Sequence, residues 1–406
     1  MLDLLRGFAL LGILLVNIEL MRGPTFYAVL AGDLPEPTEG LDRAVQFAIG
    51  WLATGKFVSS FAILFGIGTA LMVGRAFAAG GSATGLLARR YGWLLLIGVA
   101  HMLLLFPGDI LFVYGLTGLL LLAFVSVQQR TALLWSAVLA GGTALLTILV
   151  TWVGAALAGL TAPTDDPFMA AFEGFFAERG EAAVRAHLEG SYLDVIAVNA
   201  VEAAITQAGQ VFVIPWLLGL FLFGFVVGRS GIVDDLPRFR PHLRRAAAIG
   251  LGLGLPLTVA QGAVDPIVAL GGGAGARVGP GLLVLVTTGQ LLGAPLLAVG
   301  YLSGLALLAL RFGVLRPLAA AGRMALSAYL AQSALALVVF AGLGWYGRLT
   351  ATGALGVVAG IWAVLLVACP LWLRRFRFGP VEWLWRTLTY GRRQPLRVSA
   401  PPRSGT

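Results

Sequence analysis

His101 and Asp109 are the residues whose types suit acid–base chemistry: an imidazole that titrates near neutrality, then, eight residues on, a carboxylate at the turn Phe106-Pro107-Gly108-Asp109. Along an unbroken helix they would stand about 12 Å apart at ~1.5 Å per residue, so contact requires the turn to fold Asp109 back. An acidic partner would orient the ring and raise its proton affinity. Two roles fit His101, a satisfied structural donor or a general base or proton carrier in a cavity. No histidine lies near it, so a multi-histidine metal site is not expected, and with Cys369 the single cysteine no intramolecular disulfide can form.

Asp3 and Arg6 stand three apart on one helix face, where they can pair. Arg6 reads either as a snorkelling anchor or as a cytoplasm-facing anion site whose guanidinium fork suits phosphate or carboxylate. Asn17 and Glu19 lie near the other end of the same segment and can line an outer vestibule. Lys56 is the sole lysine, in Thr54-Gly55-Lys56-Phe57, and reads as a placed pairing or site residue or as a product of base composition. Further along, Gln207, Gln210, Gln290, Arg323, Tyr329, Gln332 and Ser333 add polar groups, most of them explained by interhelical hydrogen bonds. Asn17, Lys56 and Gln332 are the candidates to face a substrate.

These residues matter because of the segments that carry them. The chain has 406 residues, 59% hydrophobic and 12% charged, with mean hydropathy +0.91. A soluble domain carries roughly 25% charged residues, so this is an integral membrane protein. Apolar runs without period-two alternation exclude a barrel and predict an all-α, polytopic bundle. Ten spans are expected, at about 2–22, 51–73, 90–106, 110–127, 132–159, 205–228, 246–262, 281–309, 324–343 and 354–373. The first is expected to remain as an anchor, not a cleaved signal peptide. The fourth is short, and the Pro-Gly turn before it predicts a hairpin with the third.

Placing the N-terminus in the cytoplasm puts 21 of the 28 basic residues on the cytoplasmic side and six opposite, with Lys56 inside a span. The chain is therefore read as N-in and C-in, a multi-pass membrane protein. The same topology accounts for the net charge of +9 and pI near 10.4 without nucleic acid. The lipid bilayer is the expected partner.

Two acidic segments fall on the other side, 23–50 (Asp33, Glu36, Glu39, Asp42) and 160–204 (Asp165, Asp166, Glu173, Glu178, Glu181, Glu189, Asp194). The second repeats Phe168, Phe172, Phe175 and Phe176 at helical spacing, which predicts an amphipathic helix lying on the membrane or capping the bundle. These segments are solvated loops or a lid over an outward cavity. Gly271-Gly272-Gly273-Ala274-Gly275 is expected to be a flexible connector. Gly66, Gly68 and Ala70, and Gly219, Gly224 and Gly228, are expected to let helices approach closely. The organisation expected is an N-terminal membrane bundle over 1–228, a C-terminal membrane region over 229–391 ending in an interfacial amphipathic segment, and a disordered tail over 392–406.

Five stretches in order resemble the YeiB-type family of bacterial inner-membrane proteins: Leu2-Asp3-Leu4-Leu5-Arg6-Gly7 through Asn17; Gly55-Lys56-Phe57 through Gly68; Gly98 through His101 to Leu111; Gly322-Arg323-Met324 through Leu330 with Gln332-Ser333; and Gly379-Pro380-Val381-Glu382-Trp383 through Gly391. The resemblance covers nearly the whole chain, and the family's C-terminal half is a domain of unknown function.

The Asp-x-x-Arg-Gly opening also resembles transmembrane acyltransferases, the acyltransferase-3 and heparan glucosaminide N-acetyltransferase families, which carry acyl groups from cytosolic acyl-CoA to an acceptor. That resemblance implies acyl-CoA as donor, with Arg6, joined by Arg89, Arg90 or Arg323, on the cofactor's phosphates. It also implies an intramembrane histidine, here His101 with Asp109, activating a small-molecule or lipid-linked acceptor, and no metal. The chain departs from the pattern: acyltransferase-3 proteins have a histidine where this chain has Asn17, and residues 23–50 contain none. The alternative function is a small-solute transporter with His101, Asp109 and Lys56 as coupling groups.

Overall fold

In hydrocarbon no water is available to backbone N–H and C=O groups, so each apolar run must satisfy them internally, and each does so as a helix. The computed structural model describes residues 1–33, 40–158, 167–265, 268 and 278–398. Glu36, Glu39, Asp165, Asp166, the glycine run 271–275, Arg277 and the segment beyond 398 lie outside the described residues.

The helices are α1 (Leu2–Met21), α2 (Thr25–Leu30), α3 (Gly40–Leu52), α4 (Lys56–Ala78), α5 (Thr84–Leu104), α6 (Leu111–Leu121), α7 (Gln129–Ala158), α8 (Pro167–Leu188) and α9 (Tyr192–Gln210). They continue with α10 (Ile214–Arg229), α11 (Arg240–Thr258), α12 (Pro280–Thr288), α13 (Ala294–Phe312), α14 (Arg316–Arg323), α15 (Ala325–Leu337), α16 (Ala351–Leu373) and α17 (Pro380–Tyr390). Proline sits in the first turn of α10, α11, α12, α13, α14 and α17, where its missing N–H is no loss. Among the described residues, nine helical stretches are long and apolar enough to cross a membrane, and the shorter apolar stretch Leu111–Phe124 makes a tenth. The protein is an all-α, multi-pass membrane bundle.

Two glycine contacts set its geometry. A Cβ on Gly66 would collide with the Phe221 carbonyl oxygen and one on Gly224 with that of Ile63, so α4 and α10 meet backbone to backbone. Gly7 and Gly322 do the same for α1 and α14. One buried core runs from Leu10 in α1 to Trp385 in α17, so the boundary at 228/229 does not divide two cores. By contrast α7 leaves Leu145, Leu146, Leu149, Val150 and Trp152 exposed, the face expected to meet lipid.

The segments expected on the cytoplasmic side gather at one end. There Arg323 donates to the Arg377 carbonyl (3.0 Å), Arg229 to that of Val127 (2.8 Å), and the Trp385 indole to that of Arg90 (2.8 Å). At the other end Arg22 pairs with buried Glu19 (2.8 Å) and Asp42 accepts from Thr352 N (2.8 Å). The phenylalanine-rich segment is helical as expected, with Phe176 buried against Tyr27 and Ala183 while Phe168, Phe172 and Phe175 stay exposed.

In the C-terminal segment, α17 docks against the bundle through buried Trp385 and through Glu382, and residues 392–398 fold back on it. Trp383 donates to Gln394 O (2.7 Å) and Arg377 N to Leu396 O (2.8 Å).

Candidate functional site

The hairpin of α5 and α6 assembles the centre. After Leu104 the backbone N–H groups of Leu105 and Phe106 both turn back to His101 O, at 2.9 and 3.0 Å, ending the helix before Pro107-Gly108. Asp109 then caps α6, its Oδ2 accepting from Phe112 N at 2.8 Å, which aims Oδ1 at His101 Nδ1, 2.7 Å away. Gly98, one turn before His101, permits this approach: a Cβ there would strike Phe112 N and lie 2.9 Å from Asp109 Oδ2. Gln207 Nε2 donates to the Asp109 carbonyl (3.2 Å), holding the turn from α9.

The other imidazole nitrogen, Nε2, stands 2.9 Å from Ser333 Oγ on α15. His101, Asp109 and Ser333 are all buried, at 2, 0 and 2% exposure. In the arrangement with an acceptor-only carboxylate and a neutral ring, Nδ1 would carry the proton and Nε2 would present a lone pair to the serine hydroxyl. This is the connectivity of a Ser–His–Asp relay. Ser333 was not grouped with His101 by sequence; the available signal was its i+4 spacing from Tyr329, whose ring packs 4.9 Å from the imidazole.

Two cavities lie near the relay, one touching Ser333 and the other reaching Tyr329. The larger, about 690 Å³, opens at the arginine-bearing end. It is lined by Arg6, Arg75, Arg90, Arg323 and Arg386, with Asp3, Asp234 and Glu382, and ends at Tyr329, Ile110 and Leu111. From Met1 to Ile13 it follows α1 for about 18 Å at helical rise, and its volume is that of a small-molecule site. Asp3 holds Arg6 at 2.8 Å, and Arg90 lies 3.5 Å over the Trp385 ring. The smaller cavity, about 30 Å³, touches Ser333 from the other side, with Asn199, Glu202, His187 and Tyr346 in its wall. There burial holds His187 below the ordinary imidazole value, and burial, with the nearby Glu202 charge, raises the Tyr346 hydroxyl.

The structure thus joins His101 to Asp109 and brings Arg6, Arg90 and Arg323 to one cavity, adding Arg75 and Arg386. Arg89 is exposed and outside that lining. Asn17, Lys56 and Gln332 line neither cavity. Lys56 Nζ donates to the Gly50 carbonyl (3.0 Å) and to Gln261 Oε1, and Gln261 in turn donates to Gln290 (2.7 Å). Gln332 donates to Leu10 O at 3.3 Å and ties α15 to α1.

Glu382 sets the start of α15, the helix that carries Tyr329 and Ser333. Its Oε1 accepts from Leu326 N (2.6 Å) and Ser327 N (2.9 Å), and its Oε2 from Ser327 Oγ (2.5 Å). Burial raises its carboxyl above the usual glutamate value, outweighing the hydrogen bonds that lower it. A raised folded-state pKa contributes stability that is complete below the unfolded value and is lost as pH rises through the folded one. Glu382→Gln keeps both N–H acceptors on the amide oxygen and offers its NH₂ to Ser327 Oγ. The melting temperature of the wild type relative to this variant should therefore fall as pH rises above the ordinary glutamate value of about 4.3; parallel melting curves through that rise would refute the assignment.

Residues 227–392 match the family described as "Protein of unknown function (DUF418)". The uncharacterized protein YxaH of Bacillus subtilis (strain 168) is 28% identical over 414 residues, covering 97% of this chain and 95% of its own length. The uncharacterized protein YeiB of Escherichia coli (strain K12) is 29% identical over 428 residues, covering 100% and 98%. An uncharacterized 39.9 kDa protein in the amylase 3' region of Bacillus acidopullulyticus is 27% identical, covering 97% and 94%. No solved structure matches. The chain is thus similar over nearly its whole length to these YeiB-type proteins, and the family match covers its C-terminal part.

Proposed function

We propose that the protein is an inner-membrane acyltransferase, moving an acyl group from cytosolic acyl-CoA to a small-molecule or lipid-linked acceptor on the opposite side. The observation that carries this reading is the buried Asp109–His101–Ser333 relay packed behind Tyr329, which lines an arginine-bearing cavity. With the arginine-bearing end in the cytoplasm, the guanidinium groups of Arg6, Arg90 and Arg323 suit the phosphates of coenzyme A. The depth of the cavity suits its extended arm. His101, its ring oriented by Asp109, takes the proton of the attacking group and returns it to the leaving sulfur.

Acetyl-CoA, longer acyl-CoAs and free coenzyme A should each be tested for thermal stabilisation of the detergent-purified protein. Ligand at 100 times its Kd should add about 2.7 kcal/mol. Arg6→Ala should abolish most of that shift. If no coenzyme A species stabilises the wild type, the transferase reading fails.

One cavity touching Ser333 and another reaching its neighbour Tyr329 also favour a second reading, a proton-coupled transporter of a small solute. Solute uptake into liposomes without an acyl donor would select it.

A further inference from the structure

We infer that Ser333 is the acyl carrier, so that transfer proceeds through an acyl-serine and not by direct attack of the acceptor on the thioester. The inference rests on the transferase reading and deepens it.

Two observations carry it. Ser333 Oγ occupies His101 Nε2 at 2.9 Å, while Asp109 occupies Nδ1 at 2.7 Å. The imidazole has no other lone pair with which to deprotonate an acceptor, and the group it is set to activate is the serine. Second, the hydroxyl stands between the two compartments. Ser333 lines the outer cavity, and Tyr329, one turn away at about 6 Å of helical rise, lines the inner one.

The steps balance without a redox partner. When the Tyr329 side chain turns aside, Ser333 Oγ attacks the thioester carbonyl and its proton passes to His101 Nε2. The carbon–sulfur bond breaks, and the proton leaves with the sulfur as the free thiol of coenzyme A. An acceptor hydroxyl or amine then attacks the serine ester and gives its proton to Nε2. That proton returns to Ser333 Oγ as the ester bond breaks.

The test uses the full chain in nanodiscs with radiolabelled acetyl-CoA and palmitoyl-CoA and no acceptor. The expected result is a burst of free coenzyme A stoichiometric with protein, and label on the peptide containing Ser333. Ser333→Ala should lose both burst and label while melting near the wild type. Ser333→Cys should take the label as a thioester that neutral hydroxylamine removes, whereas the wild-type oxygen ester survives it. A purely structural serine would not shift that sensitivity.

Acceptor-dependent transfer persisting at the wild-type rate in Ser333→Ala, with no labelled peptide in the wild type, would overturn the carrier and leave the transferase standing. Failure of the wild type to bind or consume either thioester would overturn both.

Discussion

His101→Gln should lower acyl transfer by about 10²- to 10⁴-fold, the usual worth of a positioned general base, while the protein still folds. Glutamine is the informative replacement. His101 and Asp109 are buried together, so alanine would leave the Asp109 carboxylate short of a donor in a low-dielectric interior and cost stability of order 1–3 kcal/mol. An amide N–H can still face Asp109 Oδ1, but no group remains to accept the Ser333 proton. The measurement is initial rate against thermal melting on the same preparations. Full turnover in a normally melting variant would exclude His101 as the base.

How much of this centre was legible depends on whether its determinants are local. The helices were, because each long apolar run must close its own hydrogen bonds, and the hairpin was written in the Pro107-Gly108 turn. The meeting of His101 with Asp109 follows from that turn and from Gly98, both within one short stretch. Ser333 lies 232 residues from His101 and joins it through the packing of α15, which no local pattern records. The basic cavity was half legible. Arg6, Arg89, Arg90 and Arg323 were named together through the acyltransferase resemblance, and charge counting cannot tell Arg90, stacked on Trp385, from exposed Arg89. The docking of the segment from Gly379 to Gly391 was illegible for a related reason. Tryptophan among arginines fits a lipid interface as well as a bundle, and the contact that decides, Glu382 on the first turn of α15, is 55 residues away along the chain.

Asp109→Asn separates a working relay from a structural tie more sharply than loss of the histidine. In the wild type Oδ2 accepts from Phe112 N and Oδ1 from His101 Nδ1. Asparagine has one oxygen, and the Phe112 N–H at the start of α6 claims it, since an NH₂ turned toward that donor would leave it unpaired at about 1–3 kcal/mol. The NH₂ therefore faces the imidazole, and Nδ1 must become the acceptor. The proton moves to Nε2, which then donates to Ser333 Oγ and cannot take its proton. Gln207 still holds the Asp109 carbonyl, so the turn persists. Activity should fall by about 10⁴-fold, as the same exchange does in serine-protease triads, with little change in melting temperature. The imidazole nitrogen shifts of isotopically labelled protein should report the switched tautomer. Near-normal turnover with that switch in place would mean that Nε2 never accepts a proton in the reaction, and the relay would then be a hydrogen-bonded clamp between α5 and α15.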